Sequence, residues 1–174
     1  MTREIQRATE LAQQTLARGA YVLPIDVHQV ARDLGLVVIE QELEEHISGL
    51  LVIKDGQGTI AVNKAHHLNR QRFSIAHEIA HYLLHAPGSG VFIDATPVFF
   101  RDTISREGRS LEEIAANTFA AELLMPHPKL LEVLHQEPLD AFDDNALRRV
   151  AGIFGVSAQA LTIRLTRLGL ISIG

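Results

Sequence analysis

Chemistry is most concentrated in this 174-residue chain at His77-Glu78-Ile79-Ala80-His81. A helix turns about 100° per residue, so two His four positions apart stand within about 40° of each other and both imidazoles reach one ion. Glu78 falls one position after the first His and three before the second. It lies beside such an ion rather than on it, where a general base acting on water belongs. Chance placement of nine His and thirteen Glu among 174 residues produces the pattern only about 3% of the time. The motif also sits among apolar residues at helical core spacing, Phe73, Ala76, Ile79, Ala80, Leu83 and Leu84, with no Pro or Gly inside it. The chain has no Cys, so a metal here must be held by imidazole and carboxylate.

A catalytic zinc keeps three protein ligands and leaves one position open, so a third donor must come from elsewhere in the chain. His85 lies eight residues beyond His77, about 80° round the helix and two turns along it, too far to share the ion. It reads as a helix-end residue. The next helix offers Glu112, Glu113 and Glu122. Glu113 has Asn117 at i+4 on the same face, so one of the two can bind metal while the other orients a ligand imidazole. Glu122 stands about 180° from Glu113 and points away. Complementing the helix dipole explains Glu112 better than ligation does, and explains Glu113 about equally well. Tyr82, His66, His67, Arg101 and His127 have no support from spacing as oxyanion partners, and Tyr82 reads as a core residue.

The elements that must position these groups follow from periodicity. Arg3 to Arg18 and Asp26 to Leu34 read as amphipathic helices ended by Gly19 and Gly35. Leu36 to Glu40, Ile47 to Lys54 and Gly58 to Asn63 have strand composition, and the Asp55-Gly56 signal makes the last two a hairpin. Leu68 to about His85 is the helix that carries the motif. Ala86 to Ser110 reads as a long irregular connection of the kind that serves as a lid. Ser110 is placed to cap a helix running to Leu124, followed by short helices at Lys129 to His135, Asn145 to Phe154 and Ser157 to Leu168. The expected fold class is α+β, a small, mainly antiparallel sheet packed with the motif helix. The expected division is residues 1–144 as the metallopeptidase domain, with 145–174 as a two-helix segment packed on it.

At 47% hydrophobic residues the chain can bury one sizeable core, and its net charge of −5 gives no global attraction to nucleic acid or an anionic membrane. Met1 to Ala20 lacks the apolar run of a secretory signal, and no apolar stretch nears the roughly twenty residues a membrane span needs. A soluble, cytoplasmic protein with no membrane partner is the expectation.

Several segments together resemble a known family. They are Ile47-Ser48-Gly49-Leu50-Leu51-Val52, Ile60-Ala61-Val62-Asn63, the run from Arg70 through the His pair to His85, and Glu113-Ile114-Ala115-Ala116-Asn117 continuing to Met125-Pro126. In this order, over about Pro24 to Leu170, they resemble the ImmA/IrrE metallo-endopeptidases. The resemblance implies a thermolysin-like, zincin-type site for Zn2+ with His77, His81 and Glu113 as ligands and Glu78 as catalytic base. In it, Asn117 supports the imidazole of His77. It further implies a protein substrate, a helix-turn-helix repressor cut at one site to derepress stress or mobile-element genes, while other members are paired with an antitoxin-like regulator. Some relatives carry a repressor-like DNA-binding domain ahead of the peptidase. Met1 to Leu23 is too short for one, so the target is expected to be a separate chain.

A competing reading comes from the C-terminus. Residues 145–174 contain Arg148, Arg149, Arg164 and Arg167 and no acidic residue, and Gly155-Val156-Ser157 joins two helices as a helix-turn-helix turn would. On that reading the protein is a metal-stabilised, non-catalytic regulator that binds protein or DNA. A two-helix unit packed on a domain uses the same apolar spacing, and four Arg over thirty residues also suit a solvated face. Glu78 separates the two readings, because a structural zinc site closes with four protein ligands and has no use for a base.

Overall fold

A sharp two-residue turn organises the sheet. Asp55 and Gly56 both have positive φ, 51° and 80°, as the type I′ turn of a hairpin requires, and they pair Lys54 with Gln57. The computed structural model describes residues 2–85, 90–94, 111–137 and 143–171. The helices are α1 (Arg3–Ala17), α2 (Val27–Asp33), α3 (Leu68–His85), α4 (Leu111–Leu124), α5 (His127–Gln136), α6 (Asp144–Phe154) and α7 (Ala158–Arg167). The strands are β1 (Val37–Gln41), β2 (Gly49–Lys54), β3 (Gln57–Asn63) and β4 (Gly90–Asp94), in the order β1-β3-β2-β4. The fold class is α+β, as expected. The sheet is mixed: β1 runs parallel to β3, and both other pairings are antiparallel.

β4 is a departure from the sequence reading, since it lies inside the stretch read as irregular. Val91-Phe92-Ile93 is a three-residue apolar run between Gly90 and Asp94, too short to show alternation, and pairing with β2 is what makes it a strand. It also closes the outer edge of β2, as β1 closes that of β3, so the hairpin is central and has no free edge of its own. The expected Ser110 cap and Arg101 lie outside the described residues.

Alternation along the hairpin gives the sheet one buried face. Gly49, Leu51 and Ile53 of β2 and their register partners Val62, Ile60 and Gly58 of β3 are all buried. α3 packs on these two strands and on α4, and α4 packs also on α1. α1 turns a stripe of Ala8, Ala12 and Thr15 inward. α4 is buried along nearly all its length from Ala115 onward, the pattern of a helix enclosed by its neighbours.

The C-terminal helices share this core. Leu147, Val150, Ala151, Phe154, Leu161 and Leu165 belong to the same hydrophobic cluster as Ile79, Phe119 and Leu123. Arg72 of α3 donates to the carbonyls of Gly155 at 3.0 Å and Ile25 at 2.8 Å, fixing the α6–α7 turn to the motif helix. Arg164 of α7 forms a buried ion pair with Glu122 of α4, donates to the Met125 carbonyl at 3.3 Å, and Glu122 accepts in addition from Gln13 of α1 at 3.2 Å. One buried carboxylate thus ties three helices. Glu122→Ala strands the Arg164 charge in the interior and is expected to cost about 3–5 kcal/mol, read as a lowered urea unfolding midpoint. Arg149→Ala, at an exposed pair with Glu137 3.9 Å apart, should leave that midpoint within about 0.5 kcal/mol.

Candidate metal centre

α3 begins where His67 accepts a hydrogen bond from the Asn69 backbone N–H through its own Nδ1, 3.2 Å away. Phe73, Ile75, Ala76, Ile79 and Ala80 are all buried, which fixes the rotation of the helix. That rotation leaves His77 and His81 side by side under α4, with Nε2 atoms 2.9 Å apart. From α4, Glu113 brings Oε2 to 3.3 Å of His77 Nε2 and Oε1 to 3.3 Å of His81 Nε2. Donors about 2.0–2.1 Å from one tetrahedral ion stand roughly 3.3 Å from each other. The observed triangle therefore has the size of three sides of such a site, and these residues could hold a metal ion. Among the described residues no fourth His, Asp or Glu joins the group.

The surroundings fix which atoms face the centre of that triangle. Asn117 Oδ1 lies 3.1 Å from His77 Nδ1. An amide oxygen only accepts, so Nδ1 carries the proton and the Nε2 lone pair points at the triangle, as a ligand's must. His77 is 2% exposed, whereas the Glu113 side chain is 34% exposed, so the carboxylate stands on the open side. The two imidazoles facing its oxygens hold the Glu113 carboxyl well below the usual carboxylate range, His77 first and His81 next, against the opposing effect of partial burial.

Glu78 is fully buried on the sheet side of α3, its carboxylate lying over the start of β2 at Gly49. The remaining candidates separate cleanly. Glu112 is exposed, and Glu122 is engaged by Arg164. Tyr82 packs toward Gly58 of β3, His66 Nε2 lies 3.1 Å from the Glu45 carbonyl, and His67 is used at the α3 start. The side chain of His85 lies outside the described residues. Of the four C-terminal arginines, Arg164 is buried, and Arg148, Arg149 and Arg167 are exposed. Ser48, Gly49 and Arg70 fall within the motif stretches, but sequence reasoning gave Gly49 no role and did not foresee the Arg70–Ser48 contact, 2.8 Å between Nη2 and Oγ. Only the juxtaposition of strand and helix makes either visible.

The family model described as the IrrE N-terminal-like domain, a peptidase family, matches residues 31–166. The chain belongs to this family. Among curated proteins none matches its sequence. The IrrE N-terminal-like match takes in α3, α4 and the whole donor triangle together with nearly all of α6 and α7, and leaves α1 outside. No helix among the described residues is long and apolar enough to cross a membrane.

The triangle makes unequal demands on its members. Glu113→Gln, which keeps the shape but removes the charge, should lower bound zinc sharply, whereas Glu112→Gln should leave it unchanged. Asn117→Ala, which frees the His77 ring to turn, should weaken zinc binding about 10- to 100-fold, measured by competition with a chromophoric chelator.

Proposed function

We propose that this chain is a zinc-dependent endopeptidase acting in the cytoplasm on a separate helix-turn-helix repressor. The observation that carries the reading is the convergence of His77, His81 and Glu113 within 3.3 Å of one another, with the buried Glu78 next to His77 on the same helix. The peptidase family supports the reaction class, and a donor set of two imidazoles and one carboxylate is chemically suited to zinc.

An ion held by these three side chains supplies a Lewis acid that polarises a peptide carbonyl and makes neighbouring water more acidic. Glu78 takes a proton from water as the water oxygen bonds to the carbonyl carbon. It then hands that proton to the amide nitrogen as the C–N bond breaks, so the base ends the cycle as it began. Burial of Glu78 keeps bulk water from competing for the proton. Glu113 is the most exposed of the three donors. Register places Asp94 of β4 opposite Gly49, beside the base. A substrate strand added along β4 would therefore run past the site and present its backbone carbonyls to it.

The alternative of a metal-stabilised regulator that binds DNA through the C-terminal helices loses ground on two observations. Arg164 is buried with Glu122, and the α6–α7 turn is occupied by Arg72. A repressor as substrate rests on family resemblance, so its test uses the repressor encoded beside the gene. Glu78→Ala should keep zinc and lose cleavage by at least about 100-fold. His77→Ala should lose both zinc and cleavage, and a chelator should reproduce that loss in the unmodified chain. Undiminished cleavage by the Glu78 variant would remove the enzyme reading.

A further inference from the structure

Gly49 opens β2, and its backbone is held from several directions. It pairs with Val62 on one side and Asp94 on the other. The preceding Ser48 is fully buried. Its carbonyl accepts from the Asn63 N–H at 3.1 Å, and its Oγ accepts from Arg70 of α3 at 3.2 and 2.8 Å. Asn63 in turn donates to the carbonyls of Leu43, Glu44 and Ile47, pinning the loop that leads into the strand. A Cβ built on Gly49 would stand 3.3 Å from Glu78 Oε1 and 3.5 Å from Glu78 Cγ. The first is a close approach for a methyl carbon, and Glu78 has no exposed side into which to retreat. Gly49 does not have a positive φ, so no backbone requirement explains a glycine there.

We propose that Gly49 is a positioning residue: its missing side chain is the floor on which the Glu78 carboxylate rests, and it sets how far the base stands from the His77–His81 pair. The inference deepens the peptidase reading and rests on it for its catalytic consequence. The steric contact itself stands independently of any reaction. With strand and helix both held, a methyl at position 49 is accommodated by displacing the carboxylate a few tenths of an ångström. Proton transfer is sensitive to displacements of that size, whereas metal affinity and substrate affinity are not set by this side chain.

The test is a double-mutant cycle on the full chain with excess zinc, using Gly49→Ala in the unmodified background and in Glu78→Ala. In the unmodified background the alanine meets the carboxylate. In the Glu78→Ala background the Glu78 contacts are gone, only the ordinary 3.5 Å approach to the Ala61 carbonyl oxygen remains, and alanine in an extended strand restricts the unfolded chain. Gly49→Ala should therefore shift the thermal midpoint several degrees less favourably when Glu78 is present than when it is absent. Equal shifts in the two backgrounds would overturn the contact. In the second arm, hydrolysis of fluorescent casein by Gly49→Ala should show kcat lowered roughly 3- to 10-fold, Gly49→Val more, with KM and zinc stoichiometry unchanged. Loss of zinc, or a changed KM at full kcat, would assign Gly49 a merely structural role. If casein is cut equally well by the unmodified chain and by Glu78→Ala, the peptidase reading fails, and the unfolding cycle still decides whether Gly49 positions Glu78.

Discussion

The distance between α3 and α4 governs everything at the site. A ligand imidazole pair on one helix and a carboxylate on the other must meet within about 0.2 Å of bonding geometry for a metal to be held, and side chains alone cannot absorb a wider gap. Small residues set the spacing. Ala76 and Ala80 each precede a His on α3, Ala116 precedes Asn117 on α4, and Ala115, Ala120 and Ala121 continue the series, all buried. Helices with such faces approach toward the short end of the usual 8–10 Å range. The same economy operates behind α4, where Ala8 and Ala12 of α1 let a helix outside the matched family region seat against it.

That closeness creates an electrostatic problem which the site resolves within itself. Two buried imidazoles and a carboxylate at 3.3 Å would be costly if each had to be charged and desolvated alone. Instead hydrogen bonds from the two imidazoles favour the ionised carboxylate, so opposite charges offset one another, and Asn117 fixes the orientation of the His77 ring. A second polar cluster, Glu122 with Arg164 and Gln13, lies on the far side of α4. The helix thus carries one half-exposed carboxylate in its first turn, facing the two imidazoles, and another deep in the core for cohesion. Glu113 and Glu122 are nine residues apart, half a turn out of phase, which is what keeps the two clusters from mixing.

Much of this was legible in the chain because it depends on period and punctuation. The motif helix, the Asp-Gly hairpin and the α6–α7 pair follow from local spacing, and the opposite orientations of Glu113 and Glu122 follow from 100° per residue. What was not legible depends on residues distant in sequence. β4 is three apolar residues that become a strand only because β2 has an open edge. The parallel pairing of β1 with β3 reflects where α2 delivers the chain, not anything in Val37 to Gln41. Arg164 looked like one of four equivalent cations, and only the buried carboxylate of Glu122, 42 residues earlier, distinguishes it. Gly49 falls inside the strand read from Ile47 to Lys54, and nothing local distinguishes it until the helix carrying Glu78 is laid across it.

The buried arginine also bears on what the C-terminal helices are for. A helix that reads DNA must present a face free of the core, with its cations available to phosphates and base edges. α7 spends the middle of its length inward: Leu161, Arg164 and Leu165 are buried, and the turn before it is held by Arg72, a residue five positions ahead of the first motif His. A movement of α6 and α7 toward a partner would thus pull on α3 directly. Their cost of detachment is the burial of Phe154, Leu161 and Leu165, each worth about 1.5–3 kcal/mol, together with a stranded Glu122. On these magnitudes the pair behaves as a fixed buttress of the metal helix, and the exposed Arg148, Arg149 and Arg167 are the solvent side of that buttress.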